Sequence, residues 1–232
     1  MQISRTPRYA SGLAEPRASR RRRRAIPITV AAGMALTAIV VLVAPVRSAV
    51  AQSKPDTADV QFMQGMIAHH AQALAMVAMI PTHTTRPELQ LIGQRIKISQ
   101  TDEIAFMQRW LQDRNELVPT LDADNVAHMP GSAMSGMQMS GTTMMMPGML
   151  TPEQMKQLAD AKGTQFDTLF LIDMTQHHNG ALAMVKSLLA TPGAAQGSDV
   201  FTFAADADAD QRAEIKRMQA VLVTINGQAK KS

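Results

Sequence analysis

Four of the six histidines in this 232-residue chain stand as two adjacent pairs, His69-His70 and His177-His178. Each pair follows a methionine by three residues, Met66 in one case and Met174 in the other. Imidazole suits copper, zinc, iron and nickel, whereas thioether selects Cu(I), so histidine combined with methionine points to copper. The surroundings repeat as well. Asp59, Phe62, Met66, Ala73, Leu74, Met76 and Val77 recur as Asp167, Phe170, Met174, Ala181, Leu182, Met184 and Val185, all at an offset of 108 (167 minus 59). One fixed offset marks an internal repeat rather than shared composition.

Residues three, four and seven apart share a helix face. Met66, His69 and Met76 therefore fall on one stripe, and Met174, His177 and Met184 on its copy. His70 and His178 lie about 100° round the helix, on the side of Asp59 and Asp167. Each helix thus offers two imidazoles flanking thioethers, with small Ala73 or Ala181 leaving room. Di-iron bundles need Glu-x-x-His, but here the quartets are Met66-Ile67-Ala68-His69 and Met174-Thr175-Gln176-His177. A soft sulfur replaces the hard carboxylate, which argues against a di-iron site.

A single histidine or methionine at an apolar helical position usually fills core. Four buried imidazoles without partners would cost about 1–3 kcal/mol per unsatisfied group, so His69, His70, His177 and His178 read as metal ligands. Met66, Met76, Met174 and Met184 read equally as ligands or as core, and Met107 and Met218 as core. Glu103 and Glu214, with Asp59 and Asp167, are candidates to orient the histidines from outside, although Glu103 and Glu214 read equally as solvated charges. His83 is unrepeated and receives no role; Asp206, Asp208 and Asp210 read as a solvated face.

The elements that would hold these residues follow from periodicity. A helix is expected from Val60 to about Ile80, broken by Pro81. A second begins at Pro87 and ends near Val118-Pro119. Thr151-Pro152-Glu153-Gln154 reads as a capped start of a short helix, followed by the second His-His helix. A last helix runs from about Ser198 to Ile225, where Gln211, Glu214, Ile215 and Met218 echo Gln100, Glu103, Ile104 and Met107. The repeat unit is a helical hairpin, residues 56–118 and 164–226, and two such hairpins predict an all-α four-helix bundle.

Residues 119–151 form the crossover, read as a loop without strands. It holds eight methionines from Met129 to Met149. Met134, Met137, Met139, Met144, Met145, Met146 and Met149 resemble copper-binding tracts, and His128 with Met129 are candidates for the same site. A Met-rich interaction surface is the competing reading.

Residues 20–24 are all arginine, the apolar residues 25–46 follow, and Ala49-Val50-Ala51 closes the stretch. That order predicts a signal peptide over residues 1–51, with an uncleaved membrane anchor as the alternative and either general or twin-arginine export. The leader carries nine arginines and one glutamate, so the formal charge of +4 for the whole chain becomes −4 for residues 52–232 (14 Lys+Arg against 18 Asp+Glu). The basic balance belongs to the leader, and no nucleic-acid partner is expected. The chain has no cysteine, which removes disulfides and thiolate sites.

The D-x2-F-x3-M-x2-HH-x2-A-x2-M pattern, written twice and each time followed by a Q-x2-EI-x2-M helix, resembles the bacterial domain-of-unknown-function family three-hundred-and-five. The resemblance spans about residues 56–223. It implies a ferritin-like bundle, export and copper binding in resistance or homeostasis, as in a periplasmic copper-binding relative. The implied ligands are the four paired histidines with Met66, Met76, Met174 and Met184. The function expected is sequestration or transfer of copper as Cu(I), without catalysis, with another exported carrier or efflux protein as partner. The alternatives are a metal-dependent oxidase acting on Cu(I) or Fe(II), and a structural interaction module needing no metal.

Overall fold

The computed structural model of the protein describes residues 57–130 and 145–229. The expected signal peptide and Met134, Met137, Met139 and Met144 lie outside them. Helix α1 spans Thr57–His83, α2 Pro87–Gln112, α3 Pro152–Asp160, α4 Gly163–Ala190 and α5 Ser198–Ala229. The expected all-α class holds, with one small exception. Strands β1 (Thr120–Leu121) and β2 (Ala127–His128) pair antiparallel inside the predicted loop. The side chain of Asp122 makes this hairpin by accepting from the Asp124 and Val126 amides at 2.9 and 2.8 Å, while Asn125 takes a left-handed φ of 60°. Such Asx turns are local side-chain chemistry, invisible to an apolar period.

Two helix ends differ from expectation. Helix α1 runs through Pro81, which lies in its last turn. Only one helical hydrogen bond is forfeited there, and Thr84 N–H still reaches the Ile80 carbonyl at 3.1 Å. Helix α2 stops at Gln112, six residues early. Asn115 adopts a φ of 57°, and Glu116 and Asn115 donate to Leu111 and Gln112 carbonyls, both at 3.0 Å. This is a Schellman closure, which asparagine tolerates better than other side chains. The capping box at α3 forms as read: the Thr151 hydroxyl accepts from Gln154 N–H at 3.1 Å, and the Gln154 side chain accepts from Thr151 N–H at 3.0 Å.

The four long helices touch in cyclic order α1–α2–α5–α4. Their buried apolar residues divide into two clusters. The first takes Phe62–Ile67 from α1, Ile104–Leu111 from α2, Ala181–Leu188 from α4 and Val200–Ala204 from α5. The second takes Ala73–Ile80, Leu89–Ile96, Phe166–Met174 and Met218–Ile225 from the same helices. The early half of α1 therefore packs with the late half of α4, so the two run antiparallel. Between the clusters every long helix contributes polar side chains: His69 and His70, Gln100 and Glu103, His177 and His178, Gln211 and Glu214. The described helices thus form two apolar ends and a polar waist.

Candidate metal centre at the polar waist

The four histidines predicted to act together are brought together. Each is at most 1% exposed. The His69 and His177 rings, from opposite repeats, lie 3.9 Å apart between centroids with planes tilted by 39°. Within each pair the centroids are 6.5 Å (His69–His70) and 6.3 Å (His177–His178) apart.

Three of the imidazoles share one arrangement. His70 donates from Nε2 to a Glu103 carboxylate oxygen, His178 donates from Nε2 to Glu214 at 2.6 Å, and His69 donates from Nε2 to the Pro147 carbonyl at 3.0 Å. Their Nδ1 atoms are buried and have no hydrogen-bond partner. In a neutral ring with Nε2 protonated, Nδ1 carries a free lone pair. A metal-bound imidazole characteristically donates its remote N–H to a carboxylate or a backbone carbonyl, and both kinds of acceptor occur here. His177 is different again, since neither of its ring nitrogens has a well-formed hydrogen bond.

Electrostatics keep His69 and His177 neutral. Burial, then the neighbouring His70, lowers the His69 pKa to about 3, and the Pro147 carbonyl opposes this only in part. His177 is driven well below the usual histidine value by burial and by His69, His178 and His70. The His69 carbonyl pulls weakly the other way, short of a proper hydrogen bond. Neutral imidazole is the metal-binding form.

The remaining candidates separate clearly. Met66, Met76 and Met174 are fully buried; Met184 is partly buried. Met107 and Met218 are also fully buried, one in each apolar cluster. Asp59 and Asp167 hold the hairpin connections. Asp59 Oδ1 accepts from Ala195 N–H at 2.7 Å, and Asp167 Oδ2 from Arg86 Nε at 2.6 Å. They sit ten residues before the histidines, about 15 Å along the helix, so a role in orienting the rings is corrected to a role in closing the hairpins. His128 is exposed and lies 2.8 Å from Asp122 within the β-hairpin. His83 bridges two helices, its ring nitrogens 2.7 and 2.9 Å from the Met79 and Ala159 carbonyls.

Of the described loop methionines, Met129 and Met149 are partly buried and Met145 is 40% exposed. Met146 Sδ and Met184 Cε converge over Gly65, 3.3 and 3.5 Å from where a Cβ would stand. Residues missed by the sequence reading also belong here. Gln72 clamps Leu150 twice, accepting from its N–H at 2.8 Å and donating to its carbonyl at 3.0 Å. Gly180 lets the Pro147 carbonyl approach so closely that any Cβ would collide with it. The available signal was a break in the repeat: Gln72 and Gly180 occupy equivalent positions yet differ. Gln100 and Gln211, also equivalent, are buried with unpartnered side-chain atoms.

Among the described residues, no three His, Asp or Glu side chains are grouped so as to hold an ion. The unpartnered nitrogens bordering the waist do not converge. The His69 and His177 rings lie against each other at a tilt instead, so an ion bound between the repeats requires them to part.

The chain is thus an all-α protein in which two repeats of a His-His helix meet across a buried waist. It belongs to the family described as Domain of unknown function (DUF305), whose family model matches residues 59–222. It is similar to two crystal structures of that family. One, from Streptomyces coelicolor and named as a candidate secreted protein, has a TM-score of 0.58 and 27% identity over 73% of this chain and 94% of that one. The other, a fragment from Deinococcus radiodurans, has a TM-score of 0.59 and 25% identity over 74% of this chain and 99% of that one. No curated protein matches the chain. Among the described residues, no helix is long and apolar enough to cross a membrane.

Proposed function

We propose that the protein is an exported copper-binding protein that sequesters or transfers Cu(I) through the histidines of its waist and neighbouring thioethers, in a ferritin-like four-helix bundle. The observation that carries this reading is the set of three buried Nδ1 atoms without partners, on rings whose Nε2 atoms are tied to oxygen acceptors. Leaving such groups unpaired costs about 1–3 kcal/mol each, which an ion accepting the lone pairs would recover. Met66 and Met174 stand one turn before His69 and His177, and thioether beside imidazole favours the softer oxidation state. Export rests on the basic-apolar-small order of residues 20–51, and places the protein in the periplasm or outside the cell after cleavage. Likeness to a candidate secreted protein supports it.

The test is a competition titration of residues 52–232 with Cu(I) against a calibrated chelator, with Zn(II) in parallel. Tight Cu(I) binding, lost when all four waist histidines become alanine while far-UV circular dichroism keeps its helical signal, is the expected outcome. Unchanged stoichiometry in that variant sinks the site. A second reading, a metal-dependent oxidase, draws on the two carboxylates, Glu103 and Glu214, at the edge of the centre. Oxygen consumption with Cu(I) or Fe(II), beyond one equivalent per site, would favour it.

A further inference from the structure

The two repeats match at the histidines and diverge beside them. Gly65, Ala68 and Gln72 of α1 stand where α4 has Asp173, Gln176 and Gly180. Four of these six residues contact one segment, residues 146–150, which crosses both His-bearing helices. Met146 Sδ lies over Gly65, Gln176 Nε2 donates to the Gly148 carbonyl at 3.4 Å, Gln72 holds Leu150 by two hydrogen bonds, and Pro147 sits on Gly180. Gly148 has a φ of 77°, and a Cβ there would stand 2.6 Å from the Gln176 carbonyl and 2.7 Å from Gly180 Cα. Two glycines facing each other at such closeness serve the approach of one backbone to another. The product of that approach is the Pro147 carbonyl at His69 Nε2.

We propose that residues 146–150 form a strap that gates the waist: seated on Gly180 it caps His69 and closes the α1–α4 side, and exchange of a soft cation requires it to lift. The opposite side is held by side chains of α2 and α5, Glu103 and Glu214, which belong to long helices packed against their hairpin partners. The strap is held to the helices by a handful of hydrogen bonds, so it is the element that opens at least cost. It carries Met146, which rests beside Met184 at the rim, so a thioether moves with the gate. The cation chemistry rests on the copper reading above; the gating itself does not.

Gly180→Ala is the informative change. It places a methyl group where the Pro147 carbonyl sits, while alanine suits a helix interior better than glycine. Gln72→Leu is the second variant, removing both bonds to Leu150 without altering α4. Three quantities are read on each: hydrogen exchange of the Met149 and Leu150 amides, carbethoxylation of His69 by diethyl pyrocarbonate, and the association rate of Cu(I). The first two are taken on metal-free protein.

In both variants the amides and His69 should become about tenfold more reactive, as expected when a local opening equilibrium shifts. Cu(I) association should accelerate in step. Amides freed with His69 no more reactive than in the wild type would overturn the gate. So would amides that remain protected in Gly180→Ala. If no form of the protein takes up Cu(I), the copper reading fails while the His69 result still decides the gate.

Discussion

His70 and His178 are equivalent in their contacts, whereas His69 and His177 are not. The first two each sit on a glutamate one helix away, Glu103 and Glu214, themselves equivalent in the repeat. Of the other two, one is capped by a backbone carbonyl from a loop and the other is left without a proper hydrogen bond. The symmetric half follows from duplication of the hairpin, because a helix pair copied whole copies its internal contacts. The asymmetric half arises where a single unrepeated segment meets two repeated helices. One crossover can lie on only one arrangement, so it must break the symmetry it joins.

The largest effect should come from breaking the symmetric half. His178→Leu leaves Glu214, whose side chain is 8% exposed, without its partner, and should destabilise the metal-free protein by about 3 kcal/mol. His70→Leu should cost less, since Glu103 keeps 15% exposure and can be solvated. Denaturant unfolding of both variants checks the order, and the reverse order would mean that the two pairs are not governed by burial. The asymmetric half should respond with the opposite sign. His177→Leu removes two unpartnered ring nitrogens and should stabilise the metal-free protein by about 1–2 kcal/mol, while weakening Cu(I) binding. A loss of stability there would show that His177 has a structural partner.

Acid should separate the halves further. His69 has a folded pKa of about 3 against 6.5 in the unfolded chain. Between those values the unfolded state binds the extra proton, so stability is full above about pH 6.5 and is lost as pH falls towards 3. His177 is shifted the same way. His69 contributes up to about 1.4 kcal/mol per pH unit within that window. His69→Gln should flatten the fall measured by denaturant midpoints from pH 7 to 4. An unaltered slope would relocate the acid sensitivity to other groups.

How far this was legible in the sequence divides along the same line. The paired histidines and the hairpin repeat were readable because duplicated helices keep a common period and offset, whereas Glu103 and Glu214 read equally as partners or as solvated charges. Asp59 and Asp167 were misplaced for an instructive reason: their repetition was visible, but whether a repeated acid faces a ring or a turn depends on where the next helix begins. Pro147 and Gly148 were unreadable as a site, since a carbonyl contact has no side-chain signature, and Gly180 was marked only by its mismatch with Gln72 in the repeat. The β-hairpin at Asp122 was missed because an Asx turn is made by one oxygen and two amides.

The smallest expected effect concerns the two glutamines of the waist. Gln100 and Gln211 are equivalent by repeat and almost equally buried, at 1% and 2% exposure. Both side-chain atoms of Gln100 lack partners, but in Gln211 this is true of Oε1. In the metal-free protein, Gln100→Leu should therefore gain about 1 kcal/mol, because it removes unpaired polar atoms from the interior, and Gln211→Leu should gain less. Equal gains would mean that the number of unpartnered atoms does not set the difference between this pair. A gain in stability accompanied by weaker Cu(I) binding would extend the centre to α2. It would also mean that the polar atoms of the waist are kept unpaired for the ion rather than tolerated by the fold.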